Sequence, residues 1–386
     1  MRYLNACPST PTRSNRANAL QDACKCKGRI TQDLDCMDSI TQAVLGAGIA
    51  GAVLGPKQGR RALLYGALLG TLPDLDVLQS YPDPVSTMTF HRGWSHSVFV
   101  LTAASLALTG VVRAVFPKAP YGALRLFLAI WLVLLTHPIL DAFTSYGTQL
   151  FWPLARTPES WSSMFIIDPI YTVPMLVAVI VAGCSGIGPK AWRGLCWTMG
   201  FGCLYLAFSL GAKHISEARV CAALTAQGVA IERVFSTPMP LNTLLWRVVV
   251  DTGDGHYVEA VSGLFDRAAP QTLRQPFNRE LAKALVDSPL HTRLNWFTDG
   301  WLRYDRIGNA LVVTDLRMGM PGFYTFRFRM ATEQAGRWQA ITPVRWSSER
   351  GDMNVLKGIL RRIFADEPPL PLATWAASNS RVQALD

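Results

Sequence analysis

Charged side chains are scarce in the first half of this sequence. Asp, Glu, Lys and Arg make up 17% of the 386 residues; residues 37–211 contain few of them, whereas residues 212–386 are dense in Arg, Asp and Glu. Hydrophobic residues account for 50% of the chain. Long stretches that are this apolar are typical of helices that lie in a membrane. The composition therefore divides the chain into an apolar membrane half and a soluble half.

A paired cysteine framework is also missing. Seven of the eight cysteines are spread between the N-terminal stretch and the apolar segments, where Cys usually acts as a small hydrophobe. Cys24 and Cys26 lack the two-residue spacer that is usual for zinc, and no matching second pair follows them. We therefore predict neither a disulfide scaffold nor a cysteine zinc site.

The first 36 residues lack the apolar core of a secretory signal and are rich in Arg, Ser and Asn. The apolar pattern begins directly at Met37. We expect residues 1–36 to be a disordered extension or an over-called start, with Met37 as the true first residue.

No single basic stripe accounts for the net charge of +10. In the apolar half, Lys and Arg stand in short loops between apolar segments, which is the pattern of membrane topology and not of a nucleic-acid surface. We therefore expect no nucleic-acid partner. The sequence carries no signal for the oligomeric state.

Six apolar segments predict an α-helical multi-pass membrane domain over residues 37–211. They cover roughly residues 40–55, 62–73, 97–116, 122–142, 170–184 and 191–211. The first two are shorter than the about 20 residues that an independent span needs, so they are tilted, buried in the bundle or a re-entrant hairpin. Both are rich in small residues at four-residue spacing, which lets helices approach closely in lipid.

The basic loops predict which way the domain faces. They lie near residues 57–61, 113–125 and 190–193, and with six spans they all fall on one face, which the positive-inside rule assigns to the cytoplasm. The acidic and histidine clusters and the C-terminal domain then share the opposite face. We expect a multi-pass protein of the bacterial inner membrane whose site and C-terminal domain are periplasmic.

Four short clusters of Asp and His beside the apolar segments are the strongest functional signal. They are Asp74-Leu75-Asp76, the run from His91 to His96, the pair His137 and Asp141, and Asp168-Pro169. Charged groups in an apolar setting cost several kcal/mol unless they are paired or bind metal. The clusters fall on one predicted face, so we predict a metal site there, with one ion or two.

The predicted metal ligands are Asp74, Asp76, His91, His96, His137 and Asp141. The spacing of His137 and Asp141 puts both side chains on one helix face, about one turn apart. Imidazole and carboxylate ligands together suit zinc, manganese or another divalent ion. The alternatives are a solvated helix end for Asp74 and Asp76, and a buried hydrogen bond without metal for His137 and Asp141.

Two further residues are predicted to act on a substrate. Arg92 is placed to hold an anion such as phosphate, with contact to a lipid headgroup as the alternative. Asp168 is predicted to support a ligand or to act as a general base. Because Pro169 follows it, an N-cap role for Asp168 is an equally good interpretation.

At these residues the chain resembles the YdjM-type family of inner-membrane, metal-dependent hydrolases. The resemblance covers residues 37–211 and rests on Leu72–Asp76, His91–Ser97, Thr136–Gly147, Met37–Gln42 and Ile167–Thr172. It implies a multi-pass inner-membrane protein with a divalent-metal site. Gln42 and Val77 stand where some shorter members carry His, which keeps manganese and magnesium beside zinc as expected metals.

Residues 212–386 predict a small β-rich or α+β soluble domain. Apolar and polar residues alternate in two stretches, 244–250 and 257–261. These stretches flank a turn-forming run at 251–255 and predict a β-hairpin. Further strands are expected at 310–314, 322–330 and 338–342, and a helix at 278–286. We find no catalytic pattern in this domain, so we expect it to cover the membrane site or to recognise substrate.

These observations together predict a membrane-embedded hydrolase that depends on a divalent metal, with zinc expected first. Its substrate would be an ester or phosphoester at the membrane surface, in a membrane lipid or a lipid-linked small molecule. The alternative is a non-enzymatic metal-binding or transport protein of the membrane. A transporter would place polar groups near the middle of several spans, whereas these clusters stand at one end.

Overall fold

The structure is a computed structural model that describes residues 29–348 and 351–378. Its apolar half consists of helices α1 (Arg29–Gln58), α2 (Arg61–Gly70), α3 (Pro84–Phe90), α4 (Val98–Val115), α5 (Ala123–Ala142), α6 (Pro169–Ser185) and α7 (Pro189–Ala226). Two 3-10 helices, Pro73–Leu78 and Trp94–His96, lie on either side of α3. Most of the extension predicted at 1–36 lies outside the described residues, and residues 29–36 form the beginning of α1.

Four of the described helices are long and apolar enough to cross a membrane, namely α1 from Ser39 onward, α4, α5 and α7. All six predicted apolar segments are helical, but six membrane spans are not confirmed. Helix α2 has 10 residues and α6 has 17; at about 1.5 Å per residue, α2 is about 15 Å long, half the thickness of the hydrocarbon core. The first segment is longer than predicted, since α1 has 30 residues.

Helices α1 and α2 form a tight antiparallel hairpin because glycines face each other across it. A Cβ atom on Gly46 would lie 2.3 Å from the carbonyl oxygen of Gly66, and one on Gly70 would lie 2.6 Å from the carbonyl oxygen of Gln42. Only glycine allows backbones to come so close. The hairpin brings Gln42 and the end of α2 against α5.

Helix α7 joins the two halves. It has 38 residues, about 57 Å at the usual rise per residue, and it runs through the predicted domain boundary at residue 211. Its first part is apolar enough to span a membrane, while Ala212, Val220 and Leu224 pack on the first β-sheet in a buried cluster with Trp246 and Val248.

The C-terminal half contains two antiparallel four-stranded sheets, with strand orders β1-β2-β3-β4 and β5-β6-β7-β8. The strands are β1 (Arg233–Pro238), β2 (Leu245–Asp251), β3 (His256–Gly263), β4 (Gln271–Pro276), β5 (Leu302–Ile307), β6 (Ala310–Asp315), β7 (Arg327–Gln334) and β8 (Arg337–Arg345). A 3-10 helix (Arg279–Leu285), α8 (Pro289–Phe297), α9 (Met353–Arg362) and α10 (Leu372–Ser378) complete the domain.

The predicted hairpin is present as β2 and β3, which pair antiparallel from Leu245 opposite Gly263 to Asp251 opposite Tyr257. The strand predicted at 322–330 begins only at Arg327. Gly319 and Gly322 both have positive φ, 117° and 84°, so the chain turns there where a strand would be extended. The predicted helix at 278–286 is a 3-10 helix.

The C-terminal domain packs on the end of the helical half that carries the Asp and His clusters. Val85, Met88 and Tyr146 of the helical half share one buried cluster with Leu294 and Phe297 of α8. At the opposite end of the helices, basic residues hold the loops together: Arg60 donates to the carbonyl of Cys184 (2.9 Å) and Arg113 to that of Tyr121 (3.1 Å). The clusters and the basic loops thus lie at opposite ends of the bundle.

Candidate metal centre

Four of the predicted ligands come together at the covered end of the bundle. Asp74, His96, His137 and Asp141 each offer a ligand atom, and these atoms all lie within 4.8 Å of one another. Asp74 comes from the first 3-10 helix, His96 from the second, and the other two from the last turns of α5. This set of two imidazoles and two carboxylates suits a divalent cation.

Local sequence explains how the two 3-10 helices present their side chains. Pro73 starts the first one and sets Asp74 in its first turn. Ser97 ends the second one by capping α4, where its hydroxyl accepts from the amide of Phe99 at 3.3 Å. Between them the backbone of Arg92 is left-handed (φ 58°), and its amide donates to Asp76 Oδ2 at 3.0 Å. Asp76 thus holds the turn that aims His96 inward.

The hydrogen bonds of the two histidines leave the Nε2 atoms for a ligand. His137 Nδ1 lies 2.6 Å from the carbonyl oxygen of Gly70, which can only accept, so this nitrogen carries the proton. His96 Nδ1 lies 2.9 Å from the hydroxyl of Ser95, which itself donates to Asp76 at 2.7 Å. When both imidazoles are neutral, these partners place the proton on Nδ1 and the lone pair on Nε2. The two Nε2 atoms then face each other at 3.2 Å, an orientation typical of metal-binding histidines.

The two carboxylates crowd into the same space. Asp74 Oδ1 lies 3.2 Å from His137 Nε2, and Asp141 Oδ2 lies 3.2 Å from His96 Nε2. Asp141 Oδ2 is buried and has no hydrogen-bond partner. A buried carboxylate oxygen without a donor is costly, and a cation between these four groups would satisfy it. The donor set therefore fits a divalent metal.

The pKa shifts in the cluster indicate an excess of negative charge. Burial alone would lower the pKa of His96, but the neighbouring carboxylates of Asp141 and Asp74 outweigh this effect and raise the pKa to about 9. Burial would raise the pKa of Asp74, yet His137 and His96 hold it well below its usual range. The cluster favours a positive charge, which a proton or a metal ion can supply.

The other two predicted ligands, His91 and Asp76, form a pair beside the four-residue group. His91 Nδ1 lies 2.8 Å from Asp76 Oδ1, and the His91 ring packs edge-on against His96 and Tyr146. Burial would raise the pKa of Asp76, but His91 lowers it. In this position Asp76 and Ser95 orient His96.

Arg92 lies inside the cluster and is buried. Its guanidinium is 3.3 Å from Asp141 Oδ1, donates to the hydroxyl of Thr144 at 3.3 Å, and lies 5.1 Å from the centre of the Tyr146 ring. The charge of Arg92 is thus directed at a ligand carboxylate.

Asp168 lies outside the four-residue group. It caps α6, accepting from the amide of Ile170 at 3.0 Å, and it accepts from the hydroxyl of Tyr205 at 2.7 Å. That hydroxyl lies 2.9 Å from Thr243 in the C-terminal domain. Burial raises the pKa of Asp168, although these donors oppose the shift. Asp168 therefore ties α6, α7 and the C-terminal domain together.

Sequence reasoning did not assign a role to Gln42, although it marked the position. Gln42 is buried, and its amide donates to Asp141 Oδ1 at 3.0 Å and to the carbonyl of His137 at 3.2 Å. Its Oε1 atom is buried without a hydrogen-bond partner. The feature of the sequence that pointed to this position was the His that some shorter family members carry here. Gln42 belongs to the cluster through its contact with Asp141.

Access to the four ligands is from the side of Asp74. The side chain of Asp74 is 18% exposed, whereas those of His96, His137 and Asp141 are at most 1% exposed. The neighbouring His91 side chain is 20% exposed. A small molecule would reach the cluster past these two side chains.

The helical half is similar to a known family of membrane proteins. The model of the YdjM inner membrane protein family matches residues 37–215. This stretch of the chain is thus similar to that family. It contains all six predicted ligands and both residues predicted to act on a substrate.

Two curated relatives share part of the chain. The uncharacterized protein YfhP of Bacillus subtilis is 27% identical over 152 residues, which are 38% of this chain and 46% of YfhP. The inner membrane protein YbcI of Escherichia coli is 30% identical over 109 residues, which are 28% of this chain and 59% of YbcI. The matches thus span about half the length of these relatives. No solved structure matches the chain.

Proposed function

We propose that this protein is a membrane-embedded hydrolase that depends on a divalent metal and cleaves an ester or phosphoester at the membrane surface. The observation that carries the proposal is the pair of facing Nε2 atoms, 3.2 Å apart, each fixed by an acceptor at Nδ1 and flanked by Asp74 and Asp141. A divalent ion bound here would supply Lewis acidity and make water a nucleophile near neutral pH.

In this proposal the side chains around the ligands have separate roles. Asp76 and Ser95 hold His96, and the carbonyl of Gly70 holds His137. Gln42 and Arg92 hold Asp141. Arg92 would also take up the anionic part of a phosphoester, because its guanidinium lies next to the ligand Asp141. Asp168 supports the site from the start of α6. Zinc suits two imidazoles and two carboxylates best, with manganese or magnesium next.

The location of the site at one end of the helices supports a surface reaction. The ligands stand at the end of α5 and in the loops beside it, opposite the loops with Arg60 and Arg113. If those basic loops are cytoplasmic, the site and the C-terminal domain are periplasmic, in a multi-pass protein of the bacterial inner membrane. Reporters fused after the C-terminal residue, one active only in the periplasm and one only in the cytoplasm, test this orientation.

A non-enzymatic metal-binding or transport protein is the second candidate, and one observation favours it. Three of the four ligands are almost completely buried and all four come from the protein. Structural zinc sites have four protein ligands, whereas catalytic ones keep a position open for water or substrate. A metal that is bound tightly without any hydrolysis would support this candidate.

The first experiment is metal analysis of the purified protein as wild type, His96→Ala, His137→Ala and His256→Ala. His256 lies in β3, and its exposed ring serves as a matched control. We expect stoichiometric metal in wild type and His256→Ala and its loss in the other two. Metal-loaded protein is then tested on ester and phosphoester substrates. No metal in folded wild type after supplementation would remove the proposal.

A further inference from the structure

A cavity of about 420 Å³ lies between the helical half and the C-terminal domain. Thr144, Ser145, Phe165 and Ile166 form its wall on the helical side. The first two follow directly after α5, which ends at Ala142, and the other two stand just before α6, which begins at Pro169. The cavity therefore lies at the end of α5, which is long and apolar enough to cross a membrane, and at the beginning of α6.

The wall on the C-terminal side is mostly apolar. It is formed by the loop after β6 and by one face of α9, with the side chains of Met318, Met320, Phe323, Val355, Leu356 and Ile359. Methionines adapt to irregular apolar ligands. Arg317, the one basic residue of the lining, is paired with Asp315 at 3.0 Å. The volume is in the range of sites for small molecules, about 300–1,000 Å³. Asp352, the one acidic residue of the lining, accepts from the amides of Asn354 and Val355, both at 2.9 Å. An uncharged, apolar group therefore fits this cavity.

Helix α9 is also apolar on its exposed side, outside the cavity. Met353, Leu360 and Phe364 are exposed there, and Phe364 (75% exposed) stacks on Phe265 (57% exposed) with ring centres 6.0 Å apart. The exposed Lys357 lies on the same side of the helix. Helices with an apolar stripe and basic neighbours lie in the surface of a bilayer. One side of α9 therefore fits a lipid surface while the other side lines the cavity.

The polar end of the cavity touches the metal centre. Thr144 lines the cavity, accepts a hydrogen bond from Arg92 and donates to the carbonyl of Asp141 at 2.7 Å. Ser145, also in the lining, bonds to Thr237 at 2.6 Å. A molecule with a polar head and an apolar chain would place its head beside Thr144 and its chain along α9.

We propose that this cavity binds one hydrocarbon chain of a bilayer lipid, which enters past α9. Such binding would hold the headgroup region of the lipid next to the ligands Asp141 and His137. The proposal rests on the proposed function only in taking this lipid as the substrate. The binding itself requires neither metal nor catalysis.

Photo-crosslinking in nanodiscs tests the proposal. The probe is a phosphatidylethanolamine that carries a diazirine on one acyl chain, and labelled residues are located by mass spectrometry. Met320 is 7% exposed and lines the cavity, so label on Met320 requires a chain inside. Label on Met353 or Phe364 reports only contact with the outer face. We expect label on Met320 and its neighbours in the wild type.

Two tryptophan variants of α9 form the matched pair. Leu356→Trp fills the cavity, whereas Leu360→Trp changes a residue one turn later that is 38% exposed and is not part of the lining. We expect the Met320 label to be lost in Leu356→Trp and kept in Leu360→Trp. If Leu356→Trp does not fold, Val355→Phe replaces it, and thermal unfolding shows that each variant is folded.

Two outcomes would overturn the inference: label confined to the outer face of α9 in the wild type, or Met320 label that is unchanged in the cavity-filling variants. These outcomes are separate from failure of the proposed function. Hydrolysis of a water-soluble ester without cavity labelling would leave the hydrolase standing, and cavity labelling in a protein without hydrolysis would leave the lipid site standing.

Discussion

Single hydrogen-bond partners decide what each ligand of the cluster can do. The carbonyl of Gly70 and the Ser95–Asp76 pair fix both imidazoles with Nε2 facing inward. Gln42 and Arg92 do the same for Asp141, because both direct donors at its Oδ1 atom and leave Oδ2 free to face the histidines. The metal affinity should therefore depend on residues that do not touch the metal themselves.

Gln42 gives the sharpest test of this dependence. In Gln42→Ala the carboxylate of Asp141 loses the donor at 3.0 Å, and we expect the metal to bind roughly 10- to 100-fold more weakly, as is usual when a ligand loses its orienting partner. Competition with a chelator measures the affinity. The control is Gln58→Ala, since Gln58 donates to Tyr121 at the opposite end of the bundle. Equal affinity in the two variants would contradict the role of Gln42.

Arg92 gives a second test, based on charge. Arg92→Met leaves the buried carboxylate of Asp141 without its cation at 3.3 Å. Removing one partner of a buried ion pair destabilises a protein by about 3–5 kcal/mol, so the metal-free variant should unfold at a clearly lower temperature than wild type. A bound divalent ion replaces the lost charge, so the difference should shrink in metal-loaded protein. A difference that is independent of metal would show that Arg92 only fills space.

At the scale of elements, the α1–α2 hairpin forms one wall of the metal centre. It supplies Gln42 from α1 and the Gly70 carbonyl from the end of α2. The separation of the two helices is set by Gly46, where a Cβ would clash with the backbone of Gly66. Backbone atoms cannot rotate away as a flexible side chain can, so the helices themselves would have to move apart.

We therefore expect Gly46→Ala to disturb both stability and metal binding. Overpacking of this kind usually costs about 1–3 kcal/mol, and the displaced hairpin would pull Gln42 and Gly70 away from α5. Thermal unfolding in detergent and chelator competition measure the two effects. Gly200→Ala in α7 is the control, because a Cβ there meets nothing within 4 Å and alanine favours a helix by roughly 0.5–1 kcal/mol. Similar behaviour of the two variants would refute the close-packing argument.

At the scale of the whole molecule, the sequence predicted local features and the meeting of four ligands, but it did not predict the contacts that hold those ligands in place. The β2–β3 hairpin and the His137–Asp141 pair on α5 follow from spacing within a few residues, and both are present. The contact of Gln42 with Asp141 joins residues 99 positions apart, and no local pattern contains it. Apolar content alone also could not show that α2 turns back on α1, since a short buried helix and a short span have the same composition.

The packing of the C-terminal domain against the metal centre is another long-range feature, and Tyr146 is its central contact. The Tyr146 ring meets His91 (centres 5.6 Å apart) on one side and Phe297 of α8 (5.7 Å) on the other. Its hydroxyl donates to the carbonyl of Met88 at 2.7 Å. Together with Val85 and Met88, this side chain lets the C-terminal domain support the loop that carries His96.

Replacement of Tyr146 should therefore affect both halves at once. We expect Tyr146→Ala to lower the free energy of unfolding by about 3–5 kcal/mol, as loss of a buried aromatic ring does, and to weaken metal binding because the His91–His96 loop loses its support. Tyr146→Phe keeps the ring and loses one hydrogen bond, so it should cost about 1 kcal/mol and leave the metal affinity near that of wild type. Denaturant unfolding followed by tryptophan fluorescence, together with chelator competition, separates the two variants. If Tyr146→Ala lost stability but bound metal as tightly as Tyr146→Phe, the C-terminal domain would be a separate unit that does not support the site.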